Sequence, residues 1–253
     1  MQIKMLITTI LFLFLIMGAT ATCYANSDFQ GSIRPIPTEL QKMMIGKTWH
    51  TGCPVPLKDL SYLQVSYWGF DNQSHVGEII IHKRLAAELL AILKKLYDNH
   101  FPIEKMVMPE KLIGDKKFSS PIEMAAYLDN TDDTNAFFCR TDGQNPNDFS
   151  PHSFGIAIDI NPYFNPGVLA KQYQPLEKGT KYLNRHINHP GMIREGDVVV
   201  NTFLDHGWVW GGFFIQGVDY MHFGKLISTH YQVNHLEIVP IEEQIQNLKQ
   251  GIG

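Results

Sequence analysis

Four residues in this sequence are of the types that hold a metal ion or move a proton beside one: His152, Asp159, Asp219 and His222. A catalytic zinc takes three protein ligands and leaves one position for water. Two neutral imidazoles and one carboxylate make such a set, and they leave the ion one positive charge in excess, which helps acidify that water. A carboxylate that is not a ligand can then take the proton as general base, and Asp219 is the candidate. None of the common short signatures is present: there is no HExxH, no GxSxG, no CxxC pair and no phosphate-binding glycine loop. Spacing alone also allows a purely structural reading. The chain has eleven histidines; Asp159 could cap a helix, and His222 could be a hydrogen-bonded core residue.

The elements around these residues say how they could meet. His152 and Asp159 lie in SPHSFGIAIDI, residues 150–160, where Ile156, Ile158 and Ile160 alternate with Ala157, Asp159 and Asn161. That is the period of a strand. Its isoleucine face belongs to the core, and its small, polar face could floor a cleft. Asn161-Pro162 ends it, and His152 enters from the preceding loop. Asp219 and His222 stand three apart. That separation suits one turn of helix; in a regular strand they would point to opposite faces, so a bulge or loop would be required between them.

Farther out, 78–82 (EIIIH) reads as a short buried strand. Residues 83–97 read as an amphipathic helix with Leu85, Leu89, Leu93 and Leu96 on one stripe and Glu88, Lys94 and Lys95 off it. A second helix is expected at 120–128, capped by Ser119 or Ser120, and 136–140 (AFFCR) has strand character. Residues 163–200 form a loop-rich excursion that could wall a substrate groove. A short helix is expected at 198–206, a strand at 207–210, a turn at Gly211-Gly212, a last strand or turn at 219–223 and a polar peripheral helix at 241–250. Strands and helices do not alternate in a βαβ rhythm. The expected class is therefore α+β, a small, mainly antiparallel sheet with helices packed on it. Trp208 and Trp210 point the same way in a strand and read as packing behind the site. His189 and His206 either support the ligands or sit on the surface, which is the simpler reading.

Composition narrows the setting. The chain has 253 residues, 44% hydrophobic and 18% charged, with a net charge of −4. That suits a globular core and argues against an electrostatic grip on nucleic acid or anionic lipid. Lys4 precedes an apolar run at 5–17, shorter than the roughly 20 residues a membrane span needs. Small residues follow, so 1–25 is expected to be a cleaved secretory signal, cut near Ala21 or Ala25. An uncleaved anchor or lipidation at Cys23 are the other readings. The expected location is periplasmic or extracellular, with no membrane span after cleavage. Cys53 and Cys139 would then remain, either paired as a disulfide or buried as free thiols.

The motif Ser150-x-His152-x-x-Gly155-x-Ala157-x-Asp159, followed by Asp219-x-x-His222-Phe223, resembles the zinc D-Ala-D-Ala metallopeptidases. These include VanX- and VanY-like dipeptidases and carboxypeptidases and the L-alanyl-D-glutamate endopeptidases. The resemblance extends through Tyr67-Trp68-Gly69-Phe70, Phe101-Pro102-Ile103, Asn135-Ala136-Phe137-x-Cys139-Arg140 and Gly207-Trp208-x-Trp210-Gly211-Gly212. It implies a hedgehog/DD-peptidase-like fold and one zinc ion bound by His152, Asp159 and His222, with Asp219 as catalytic base. It also implies that Arg140 holds a substrate carboxylate or stabilises the oxyanion; an ion pair with Asp129, Asp132 or Asp133 is the structural alternative. Ser150 is a candidate for a hydrogen bond to substrate or a ligand. Gly224 stands where many relatives carry an acid after the His-Phe pair.

The resulting expectation is an arm at 26–56, a zinc peptidase domain at 57–235 and a peripheral helix at 236–253. The domain would act as a monomer on peptidoglycan stem peptides, as a D-alanyl-D-alanine carboxypeptidase or alternatively as an L-alanyl-D-glutamate-type endopeptidase. A non-catalytic, zinc-containing wall-binding module is the reading from another class.

Overall fold

The computed structural model describes residues 28–142, 147–169, 179–214 and 217–225. The expected signal at 1–25 and helix at 241–250 lie outside them. Within the 26–56 arm, strand β1 (Gly31–Pro35) and helix α1 (Thr38–Met44) form. β1 lies along the edge of a hairpin made by β2 (Leu60–Trp68) and β3 (Ser74–His82), giving a three-stranded antiparallel sheet. The hairpin reverses through Gly69, Asp71 and Asn72: Asn72 adopts φ 57, and the Gln73 amide donates to Asp71 Oδ1 at 3.0 Å. Asn and Asp tolerate such turns because their side chains bond the local backbone.

Helix α2 (Ala86–Asp98) covers this sheet. Leu89, Ile92, Leu93 and Leu96 are buried against Leu63, Val65, Ile79 and Ile81, and each such side chain contributes about 1.5–3 kcal/mol by leaving water. The expected stripe is therefore the packed face. Glu88, off it, has a second use: its carboxylate accepts from the Trp208 indole and pairs with Lys225 Nζ at 2.9 Å. Helices α3 (Pro109–Ile113) and α4 (Pro121–Asn130) pack on each other. Both serines ahead of α4 serve its start. Ser120 Oγ accepts from the Glu123 amide at 3.1 Å, and the Ser119 hydroxyl donates to the Glu123 carboxylate at 2.5 Å.

The strands that carry the candidate chemistry come next: β4 (Ala157–Asp159), β5 (Gly167–Leu169), β6 (Val209–Trp210), β7 (Gly217–Asp219) and β8 (His222–Gly224), with helix α5 (Val198–Asp205) before β6. They form one antiparallel sheet in the order β4-β8-β6 and a separate β5-β7 pair. The α+β class holds, with three small antiparallel sheets among the described residues where one was expected. The segment 136–140 is the other correction, since it is extended but not a strand. Its amides go to four partners, Phe137 to Ile80 O, Phe138 to His152 O, Cys139 to Thr48 O and Arg140 to Ser153 Oγ, so no ladder can form. Cys53 and Cys139 are joined as a disulfide with Cα atoms 5.9 Å apart.

Two polar side chains, the buried Asn165 and the half-buried Arg185, tie together the described part of the 163–200 excursion. Asn165 donates to Ile160 O and Gly191 O and accepts from the Ile193 amide at 2.7 Å. Arg185 donates to Phe164 O, Tyr182 O and Asn165 Oδ1. Asp132, in a left-handed conformation at φ 57, fixes the start of the excursion by accepting from the Tyr163 amide at 2.8 Å. Burial pushes its carboxyl up to about 7, assisted by Glu104 and opposed by that amide and Lys105. Between its unfolded value and about 7 the folded chain keeps a proton that the unfolded chain has lost, so stability falls as pH rises. The slope from one such group is about 1.4 kcal/mol per pH unit. In Asp132→Asn this contribution to the slope between about pH 4 and 7 should vanish, read by chemical denaturation of both proteins at several pH values; equal slopes would refute it.

Candidate metal centre

His152 sits in a one-turn 3-10 helix, Pro151–Phe154. Pro151 suits the first position, where an N–H has no helical partner. Ser150 caps the turn by accepting from the His152 amide at 3.4 Å. Gly155 closes it in the left-handed region at φ 63, and a Cβ there would lie 2.7 Å from the His82 amide nitrogen. The His152 ring is oriented by Ala136, whose carbonyl stands 2.6 Å from Nδ1. Donation from Nδ1 leaves Nε2 as a free acceptor.

Asp159 and His222 are direct cross-strand partners in the β4–β8 register. Cross-strand partners present side chains to the same face, while Ile158 and Ile160 turn into the core as the alternation predicts. On its other side, Asp159 exchanges two backbone hydrogen bonds with Asn135, at 2.9 and 3.1 Å. The three side chains converge. His222 Nδ1 is 3.0 Å from Asp159 Oδ1, His152 Nε2 is 3.1 Å from Asp159 Oδ2, and the two ring nitrogens are 3.2 Å apart. Donors held about 2.0–2.1 Å from a tetrahedral ion stand roughly 3.3 Å from one another. The donor set and its spacing therefore fit a divalent transition metal. Burial pushes the Asp159 carboxyl up, but the adjoining imidazoles outweigh this and hold it below the usual carboxylate range.

Asp219 ends β7, and the two-residue turn Tyr220-Met221 leads into β8. This turn is the break in regular strand that the three-residue spacing required. Trp210 Nε1 fixes it by donating to Tyr220 O at 2.9 Å, so the tryptophan works from behind the site, while Trp208 is wholly buried in the core. Asp219 Oδ1 is buried and meets no hydrogen-bond partner among the described residues. Burial, then the charge of Asp159, pushes its carboxyl up to about 8. Its notch exists because Gly167 stands directly opposite on β5; a Cβ there would lie 2.7 Å from Oδ1.

Arg140 makes none of the ion pairs with Asp129, Asp132 or Asp133 that its sequence neighbourhood allowed. Its Nη1 reaches only Thr141 O at 3.4 Å, and its buried Nε has no partner among the described residues. Its positive charge reaches Asp219. Ser153, which the sequence did not single out, fixes Arg140: the Arg140 amide donates to Ser153 Oγ at 2.8 Å, and that hydroxyl donates to Arg140 O at 2.6 Å. His189 stacks on Phe164 at 4.2 Å, and His206 bonds Thr202 O at 2.8 Å; neither joins the triad.

Gly167→Ala should shift the Asp219 carboxylate out of its notch and leave the fold intact, because the nearest atom is the end of a side chain. A crystal structure of the variant with Asp219 unmoved would sink this assignment.

No similar curated protein and no similar solved structure was found. Residues 143–225, which carry His152, Asp159, Asp219 and His222, match the profile of the family described as D-alanyl-D-alanine carboxypeptidase.

Proposed function

We propose that the protein is a zinc peptidase that removes the terminal D-alanine from peptidoglycan stem peptides. The observation that carries the reading is the convergence of His152, Asp159 and His222 beside an unpartnered, buried carboxylate oxygen, Asp219 Oδ1, all within the segment matched by the family. His152 Nε2, Asp159 and His222 Nδ1 would hold the ion. When bound, zinc supplies a Lewis acid for the scissile carbonyl and lowers the pKa of a water toward neutrality.

The remaining work falls to the chain. Asp219 takes the proton of the attacking water on its free oxygen and passes it to the leaving amine. Burial and the charge of Asp159 make its carboxylate, once ionised, a stronger base than an exposed one. Arg140 presents a guanidinium whose Nε has no acceptor among the described residues, suited to a substrate carboxylate or the developing oxyanion. A terminal carboxylate as its partner favours the carboxypeptidase over the endopeptidase. Ser150 holds the His152 turn, and its hydroxyl proton is left for a substrate contact. The signal expected at 1–25 would carry the protein to a substrate that lies outside the cytoplasmic membrane.

A stem pentapeptide ending in D-Ala-D-Ala, incubated with the zinc-loaded protein and weighed, should lose one terminal alanine. Internal cleavage would replace this reading with the endopeptidase, and no cleavage by a protein with stoichiometric zinc would favour the wall-binding module. Asp219→Asn should lower hydrolysis by about 10²–10⁴-fold with zinc content unchanged. Gly167→Ala should act in the same direction, again with zinc retained.

A further inference from the structure

A second group of donor atoms lies at the disulfide. The stretch His50-Thr51-Gly52-Cys53 forms a tight turn in which the Cys53 amide donates to His50 O at 3.1 Å and the His50 amide donates to Cys53 Sγ at 3.2 Å. Gly52, at φ 101, lets it close. The turn brings the His50 ring back over the bridge, so that Nε2 stands 3.6 Å from Cys139 Sγ, while Nδ1 stands 3.0 Å from Thr51 O. Donation from Nδ1 to that carbonyl leaves the Nε2 lone pair facing sulfur. A disulfide sulfur has no proton to offer it. A metal between the two would use it: a nitrogen at about 2.0–2.1 Å and a sulfur at about 2.3 Å from a tetrahedral ion lie roughly 3.5 Å apart. His50 Nε2, Cys53 Sγ and Cys139 Sγ all lie within 4.8 Å of one another, and His50 is exposed, which leaves a fourth position open to water.

We infer that the reduced protein binds a second, thiophilic divalent ion of the zinc class through His50 Nε2, Cys53 Sγ and Cys139 Sγ. A phosphine or dithiol supplies two electrons and the disulfide becomes two thiols; the reductant leaves as phosphine oxide, with one water consumed, or as its own disulfide. Metal binding then displaces the two thiol protons. The amide bond to Cys53 Sγ is suited to the thiolate, since it stabilises negative charge on sulfur. Both states tie the turn at His50 to Cys139, the residue before Arg140, so the bridge and the ion are interchangeable fasteners. The inference does not depend on the peptidase reading.

Cobalt(II) is the probe. The mature chain, without residues 1–25 and so without Cys23, is titrated before and after reduction by a water-soluble phosphine that is then removed under nitrogen. The oxidised protein should show no thiolate-to-cobalt charge-transfer absorption. The reduced protein should show it, saturating at one ion per chain beyond any held by His152, Asp159 and His222, which contribute no sulfur. His50→Ala keeps both cysteines and should weaken the sulfur-bound ion at least about tenfold; Cys53→Ser should abolish the absorption. A reduced protein without the band, or His50→Ala with unchanged affinity, overturns the inference. Loss of the sulfur-free site alone would instead count against the peptidase reading.

Discussion

The pairing of β4 with β8 is the constraint on which the candidate site rests. Only three residue pairs make up this ladder, and one of them sets Asp159 opposite His222. A slip of one residue would turn one of the two side chains toward the core and bring its apolar neighbour, Ile158 or Phe223, to the opposite face. The register is protected from behind. Phe223 stacks on Phe203 at 4.0 Å, and Ile158 and Ile160 are fully buried. Apolar burial thus aligns two polar residues that would otherwise have little reason to meet.

Much of this was legible in the sequence. Alternation in 156–161 gave the direction of Asp159, the leucine stripe gave α2, and the spacing of Asp219 and His222 required the break that Tyr220-Met221 provides. These features follow from local period and stereochemistry. What was not legible depends on contacts between distant segments. Segment 136–140 has the composition of a strand, yet its amides are shared among β3, the His152 turn and Thr48. Nothing local distinguishes the Ser153 hydroxyl, buried between two backbone carbonyls, from any other serine beside a histidine. The notch made by Gly167 appears only once β5 is seen to pair with β7.

The candidate ligands and Asp219 also differ in how they are fixed. His152, Asp159 and His222 are restrained through several backbone and side-chain bonds each, including the Ala136 carbonyl and the two bonds between Asp159 and Asn135. Asp219 is held by its strand and by the absence of a side chain opposite, with one oxygen unpartnered. A donor set benefits from rigid spacing, whereas a proton carrier needs an oxygen that the protein leaves unengaged.

That difference coincides with a division between sheets. Two of the three candidate ligands belong to the β4-β8-β6 sheet, whereas Asp219 belongs to the β5-β7 pair, whose partner strand lies in the loop-rich excursion. Changes in the excursion can therefore re-aim the carboxylate or reshape the neighbouring wall without disturbing the strand pairing that gathers the ligands. In the proposed peptidase such an arrangement would separate two evolutionary variables, keeping an ion and choosing which bond is presented to it, so that one scaffold could acquire new substrate preferences by changing a loop.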